Sequence, residues 1–223
     1  MVKNSKEVEI TEALRGKLLG LQEPKLVILN GPPRSGKDTM VSAVTGIFPM
    51  SIAGLKMAKP LKDACFAALG ITDFSIQRAM DNKYKDRAMS EFLPVNTSMT
   101  WREFQIHMSE EVMKPLFGKE IFGQIATARI DSMVKHTGVK FYLFSDGGFE
   151  EEMCPLVRRF KAENVLIIRL HRQGCDFSLD SRGDLRIAAR HLGVQFEELR
   201  NDGGVLDATK ELISILNDFM SGE

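Results

Sequence analysis

At 223 residues the chain is long enough for one substantial core and too short for two ordinary domains to be the default, so one domain with insertions is expected. Thirty basic and thirty acidic side chains cancel, which removes the overall positive field that accompanies broad nucleic-acid binding. Hydrophobic residues make up 43% and charged residues 27%, with no apolar run near the ~18 residues of a membrane span, so a membrane protein is excluded as an expectation.

Residues 1–24 begin with MVKNSKEVEI, charged where a signal peptide is apolar, and then read as a short helix capped by Thr11 and running through Leu21. Leu14, Leu18 and Leu19 are taken as its apolar face. KLVILN (25–30) follows as a buried strand, then the glycine-rich GPPRSGKDT, then helical DTMVSAVTGIF; MSIAG (50–54) is the second strand. The interval 55–139 offers no strand pattern and reads as helices: PLKDACFAALG, a polar stretch 72–100, WREFQIHMSEEVMKPLFG and KEIFGQIATARIDSMVKHTG. An insertion of this size is expected over the carboxyl edge of a sheet, where open α/β proteins bind ligands, and is read as a substrate-side cap. KFYLFSD (140–146) and NVLIIRL (164–170) are the third and fourth strands, FEELRND (196–202) a weaker fifth. RQGCDFSLDSRGDL (172–185), rich in Gly, Ser and Asp, reads as a short lid.

Strands alternating with helices imply an α/β fold with a parallel sheet covered on both faces. The expected core is 25–54 with 140–223. Cys65, Cys154 and Cys175 fit neither a disulfide framework nor a zinc pattern, so reduced thiols and a cytoplasmic protein are expected. The four histidines have no ligand spacing, and methionines such as Met108 and Met113 suit gap-filling between helices.

The chemistry-bearing signal is Gly31 to Thr39, placed between a buried strand and a helix. Glycines let the backbone curl so that successive N–H groups and the helix N-terminus converge on one anion, and Lys37 adds a full positive charge. Gly31, Arg34, Ser35, Gly36, Lys37, Asp38 and Thr39 are the candidate nucleotide-binding residues. The pattern G-x-x-x-x-G-K is met, but Asp38 stands where Ser or Thr is usual and the hydroxyl comes one place later, at Thr39. Asp38 is read as capping the helix or orienting the water shell of a magnesium ion. A guanine-specific switch would carry N-K-x-D, and Asn82-Lys83 is followed by Tyr84 and Lys85. Asp146, at the carboxyl end of the third strand, is placed either to order a metal's water ligands or to cap the following helix.

The shifted hydroxyl resembles the G-x-P-x-x-G-K-x-T loop of nucleoside monophosphate kinases, with Pro33 at the proline position. Further segments resemble the deoxynucleoside monophosphate kinases of T-even bacteriophages: RSGKDT (34–39), AKPLKDA (58–64), TWREFQ (100–105), SDGGFEEEM (145–153) and Asn201-Asp202-Gly203, over residues 25 to about 215. Lys59 stands where that family has glycine, and Gly147-Gly148 replace its Thr-Arg. The resemblance implies a three-layer, five-stranded parallel sheet of the P-loop kinase type with a helical substrate-binding insertion and a short lid. It implies ATP and Mg²⁺ as cofactors, with Lys37, Asp146, Arg172 and Arg182 catalytic and Thr39 and Asp146 holding the metal, the latter through water. Asn201 and Gly203 join the nucleotide site. Lys62, Arg102, Trp101, Arg78 and Glu152 are the candidate acceptor-binding residues, Trp101 as a platform for a base, with Tyr84 and Phe104 as other aromatic candidates and Arg87 as a further cation.

The implied reaction is transfer of the ATP γ-phosphate to a nucleoside or deoxynucleoside monophosphate, in the cytoplasm of a host if the chain is of phage origin. Small nucleotides are the expected partners, with no membrane and no general nucleic-acid binding; a homodimer is compatible with this. Two alternatives stay open: a kinase acting on a hydroxyl, such as a modified base in DNA, and a nucleotide-dependent ATPase or binding module.

Overall fold

The computed structural model describes residues 5–178 and 183–222. In chain order the elements are α1 (Ser5–Leu19), β1 (Lys25–Asn30), α2 (Lys37–Ile47), β2 (Ile52–Leu55), α3 (Lys59–Ala68), α4 (Phe74–Asn82), α5 (Trp101–His107), α6 (Lys114–Phe117), α7 (Ile121–Thr137), β3 (Phe141–Phe144), α8 (Glu150–Phe160), β4 (Val165–His171), α9 (Arg186–Leu192), β5 (Gln195–Arg200) and α10 (Val205–Ser221). They form two compact units, one of Met1–Met57 and Gly123–Glu223 built on the sheet, the other of Ala58–Phe122 built of helices.

The five strands are all parallel, in the order β2-β3-β1-β4-β5. A parallel strand covered on both faces must be apolar at successive positions rather than at alternate ones, and β1 meets this demand. Val27 and Leu29 join Met40, Val44, Leu212 and Leu216 in one cluster, which brings α1, α2 and α10 to one face. Leu26 and Ile28 join Ile130, Leu156 and Ala188 in the other, under α7, α8 and α9. The helix after β1 thus packs on the opposite face from those after its two neighbours, β3 and β4. Such reversals open a crevice at the carboxyl end of the strand, so the end of β1 is the place where this topology makes room for a ligand.

The helical unit has its own core, of Leu61, Cys65, Phe66, Met80, Met89, Trp101 and Phe122. Asp73 caps α4 by accepting the N–H groups of Ser75 and Ile76, and Thr100 and Glu103 form a capping box at the start of α5. From Met108 to Met113 the helix loosens into π-helical turns before α6. The polar stretch 72–100 contains α4, a 3₁₀ turn at Met89–Glu91 and an isolated antiparallel bridge between Ala88 and Thr100.

Several boundaries differ from the sequence expectation. Thr11 lies inside α1 and donates its hydroxyl to the Glu7 carbonyl at 2.8 Å, and the helix stops at Leu19. Leu14 and Leu18 are buried, but Leu19 is 79% exposed, because one residue's rotation carries it off the buried stripe. The second strand starts at Ile52, since Met50 has a left-handed backbone with φ 68. From Gly123 onward α7 belongs to the sheet unit, so the compact helical unit is shorter than 55–139. Among the described residues no helix is long and apolar enough to cross a membrane.

Candidate functional site

Between the end of β1 at Asn30 and the start of α2 at Lys37 the chain makes a tight loop with two left-handed residues, Arg34 at φ 65 and Gly36 at φ 100. Glycine is needed at both ends of the loop. A Cβ at Gly36 would stand 2.3 Å from Asn201 Nδ2, and one at Gly31 would stand 2.9 Å from Ser35 Oγ and 3.0 Å from Leu170 Cβ. The Lys37 ammonium turns back into the loop, donating to the carbonyls of Gly31 at 2.5 Å and Pro32 at 2.7 Å and to Ser35 Oγ at 3.2 Å. Ser35, fully buried, donates its own hydroxyl to the Pro32 carbonyl at 2.8 Å. The positive end of α2 and one ammonium therefore meet in a single turn.

Two residues expected to touch a nucleotide brace this loop. Asn201 Nδ2 donates to the Ser35 carbonyl at 2.8 Å while its own N–H bonds the His171 carbonyl at 2.8 Å. Arg172 Nη1 donates to the Arg34 carbonyl at 3.0 Å. Gly203 is exposed, and a Cβ there would find only ordinary contact with Asp207; the glycine that conformation demands is its neighbour Gly204, at φ 112. Replacing Asn201 by alanine leaves the buried Ser35 carbonyl without this donor, a loss of about 1–3 kcal/mol. We expect that variant to show faster amide exchange at Ser35, Gly36 and Lys37 than wild type; unchanged exchange there would refute the bracing role.

Asp38 has a use that neither sequence expectation contained. Gly36 occupies the cap position, and Asp38 Oδ1 instead accepts Ser145 Oγ at 2.7 Å and Lys56 Nζ at 2.7 Å. Burial pushes its pKa up, but the hydrogen bonds from Lys56 and Ser145 and the charges of Lys56 and Lys37 outweigh this and hold it below the usual carboxylate value. Thr39 is exposed in the first turn of α2. Asp146 Oδ1 accepts the Met57 N–H at 2.7 Å, and the N–H of Ser145 bonds the Leu55 carbonyl at 3.2 Å, so the chain leaving β2 is tied to the end of β3. The cap position of α8 is Phe149 rather than Asp146.

Gly147 has a steric reason. A Cβ at Gly147 would fall 2.2 Å from Ile28 Cγ2, so the backbone passes directly over β1 with no room for threonine. Asn30, wholly buried at the end of β1, donates Nδ2 to the carbonyls of Gly147 at 3.2 Å and Gly183 at 2.9 Å and accepts the Leu185 N–H at 3.1 Å. Glu152 is buried on α8, where a Cβ on Gly123 would reach its carbonyl oxygen at 2.2 Å. Its backbone thus packs closely on α7.

Beside the loop, where β4 and β5 end, is a pocket of about 420 Å³ lined by Pro32, Arg169, Arg172, Arg200 and Asp202 among others. Arg169 is nearly buried, with Phe177 over its guanidinium at 4.2 Å and Asp184 Oδ2 3.4 Å from Nε, and burial lowers its pKa. A charge inside the apolar run NVLIIRL is the signal that marks it. Arg182 lies outside the described residues.

In the helical unit the acceptor candidates separate. Trp101 is a correction: it is wholly buried, stacked on Phe66 at 4.5 Å between ring centroids, and its Nε1 donates to Asp81 Oδ1 at 2.8 Å. A ring packed this way belongs to the core and offers no platform for a base. Lys62 pairs with the other oxygen of Asp81 at 2.9 Å, and Arg102 Nε with Asp86 at 2.6 Å. Arg78 is exposed on α4, Arg87 pairs with Glu91, and Tyr84 stacks on Phe92. Phe104 packs against the unit's core.

No protein-family model matches the chain, and no curated protein matches it. Its chemistry has to be read from the donors and acceptors above. Those at the loop are cationic: Lys37, the start of α2, Arg172 and Lys56. Among the described residues no group of three or more His, Cys, Asp or Glu side chains is arranged to hold a metal ion. Thr39 and Asp146 carry oxygen atoms of the kind that magnesium takes as ligands.

Proposed function

We propose that the chain is an ATP-dependent kinase of nucleoside or deoxynucleoside monophosphates, with a fold of the P-loop nucleoside monophosphate kinase type. The observation that carries this is the Lys37 ammonium held inside a braced glycine loop, at the start of α2 and the end of β1. This donor set suits a polyphosphate: fixed N–H dipoles and one compact cation, prepared where charge must be neutralised. The neighbouring pocket of about 420 Å³ has room for the base and sugar of the same nucleotide.

Phosphoryl transfer between two polyanions is a matter of positioning and charge neutralisation, which is the work these residues are suited to. Lys37 and the loop amides hold the β- and γ-phosphates, with Arg172 at the mouth of the base pocket. Thr39, and Asp146 through water, would hold Mg²⁺, which when bound would supply charge stabilisation on the phosphate oxygens. Lys62, Arg102 and Arg78 are the residues proposed for the acceptor's phosphate, of which Lys62 and Arg102 are paired here with Asp81 and Asp86.

The test is a transfer panel with the purified chain, Mg-ATP, each ribo- and deoxynucleoside monophosphate, and an oligonucleotide bearing hydroxymethylated bases. Conversion of at least one monophosphate to its diphosphate is expected. Transfer only to the oligonucleotide would replace the acceptor by a hydroxyl, and hydrolysis of ATP without any acceptor would sink the kinase proposal.

A further inference from the structure

A second ammonium stands at the glycine loop, and the loop pattern itself does not contain it. Lys56 directly follows β2, and its Nζ lies 2.7 Å from Asp38 Oδ1, the oxygen that also accepts Ser145 Oγ at 2.7 Å. The backbone on which it stands is held, because the next N–H, of Met57, bonds Asp146 and the preceding carbonyl, of Leu55, accepts from Ser145. Its side chain is 47% exposed and that of Asp38 68%. A pair this open to water adds little to stability, so folding alone gives no account of it. It does place a cation against Asp38, the residue after Lys37, at the end of α2 whose own partial charge is positive and therefore disfavours one. An anion arriving at the loop turns that local repulsion into attraction.

Sheet order gives the site a direction. The base-sized pocket lies at the ends of β4 and β5, the loop follows the central β1, and Lys56, Ser145 and Asp146 stand beyond it at the ends of β2 and β3. A nucleotide with its base in the pocket and its phosphates across the loop points its terminal phosphate toward β3 and β2. We propose that Lys56, positioned by Asp38 and Ser145, is a ligand of the terminal phosphate of a bound nucleoside triphosphate. This rests on the nucleotide-binding part of the proposed function, and not on the identity of the acceptor.

The experiment is calorimetric titration of the full chain with Mg-ATP and Mg-ADP, for wild type, Lys56→Met, Lys56→Gln and Lys56→Arg. Loss of one charge-assisted contact lowers ATP affinity about tenfold in the Met and Gln variants, with ADP affinity held within about twofold, and the Arg variant retains most of the ATP preference. Asp38→Asn, which removes the charge holding Lys56, shifts the ATP-to-ADP ratio the same way but less. A wild-type ratio in both Lys56→Met and Lys56→Gln, or an equal loss for both nucleotides, overturns the inference. The kinase proposal fails separately, if no monophosphate is converted while the ATP-to-ADP ratio still depends on Lys56. A wild-type chain that binds neither nucleotide overturns both.

Discussion

On the proposed kinase activity, Lys37→Met is expected to reduce phosphoryl transfer by roughly 10³-fold or more, the largest catalytic effect of any single replacement in the sheet unit. Methionine keeps the length and apolar stem of the side chain, so what is removed is the ammonium. That ammonium has two duties in the structure. It holds the Gly31 and Pro32 carbonyls and Ser35 Oγ together, and it is the positive charge nearest the loop amides. Loss of the first duty costs about 1–3 kcal/mol of stability, since buried carbonyls lose a donor, while loss of the second leaves the transferred phosphate without its principal cation. Lys37→Arg is expected not to rescue. Carbonyls at 2.5 and 2.7 Å enclose a compact ammonium, and the residue is only 7% exposed, so a planar guanidinium has no room there. Steady-state transfer rates, read beside unfolding midpoints, separate the duties. A Lys37→Met protein that folds and retains more than a tenth of wild-type turnover would remove Lys37 from the chemistry.

Asn30→Leu is expected to be the most damaging single change to stability in the loop region. The side chain is wholly buried and satisfies three backbone groups, the carbonyls of Gly147 and Gly183 and the N–H of Leu185. Leucine keeps the branching at Cγ but its methyl groups are bulkier than the planar amide, so overpacking adds to the cost of the orphaned polar groups. At about 1–3 kcal/mol for each buried unpaired group, and with partial relaxation, a loss of about 3–5 kcal/mol is expected. That is a large part of the ~5–15 kcal/mol that holds a typical domain together. Urea denaturation should show the fall as an earlier midpoint with little change in slope. A loss below about 1 kcal/mol would mean that the segments around Gly147 and Gly183 hold their places without Asn30.

Much of the sheet was legible because a doubly covered parallel strand leaves a local trace. KLVILN, KFYLFSD and NVLIIRL contain continuous apolar runs, and each is a central strand to within two residues at either end. FEELRND was weaker for a physical reason: β5 is an edge strand, with only Leu199 fully buried. The glycine loop was legible because close backbone approach demands glycine at Gly31 and Gly36. The long-range partnerships were not. Asp38 meets Ser145 across 107 positions of sequence, and no local pattern announces such a pair. Asn30 was passed over because a polar residue at the end of an apolar run looks like the start of a turn. Trp101 was read as a platform for a base because an aromatic ring serves equally well for stacking on a base and for packing in a core. Burial came from Phe66 and Asp81, which only the tertiary fold brings to it. The division at Gly123 has no local signature either, since the helical period of α7 is the same on both sides of it.

The left-handed backbone of Arg34, at φ 65, bears on how tightly the loop can grip. A side chain in that conformation costs about 1–2 kcal/mol, and it persists here because Arg172 holds its carbonyl while Asn201 holds that of Ser35. The loop's shape is thus set by folding, through residues up to 166 positions away in the chain. An anion that enters has little of the loop left to order, so its association should be fast and its affinity should reflect attraction rather than rearrangement. Loosening the Asn201 brace would transfer the entropy of ordering Gly31–Gly36 from the folding equilibrium to the binding step, and weaken binding through a side chain whose contact is with the loop.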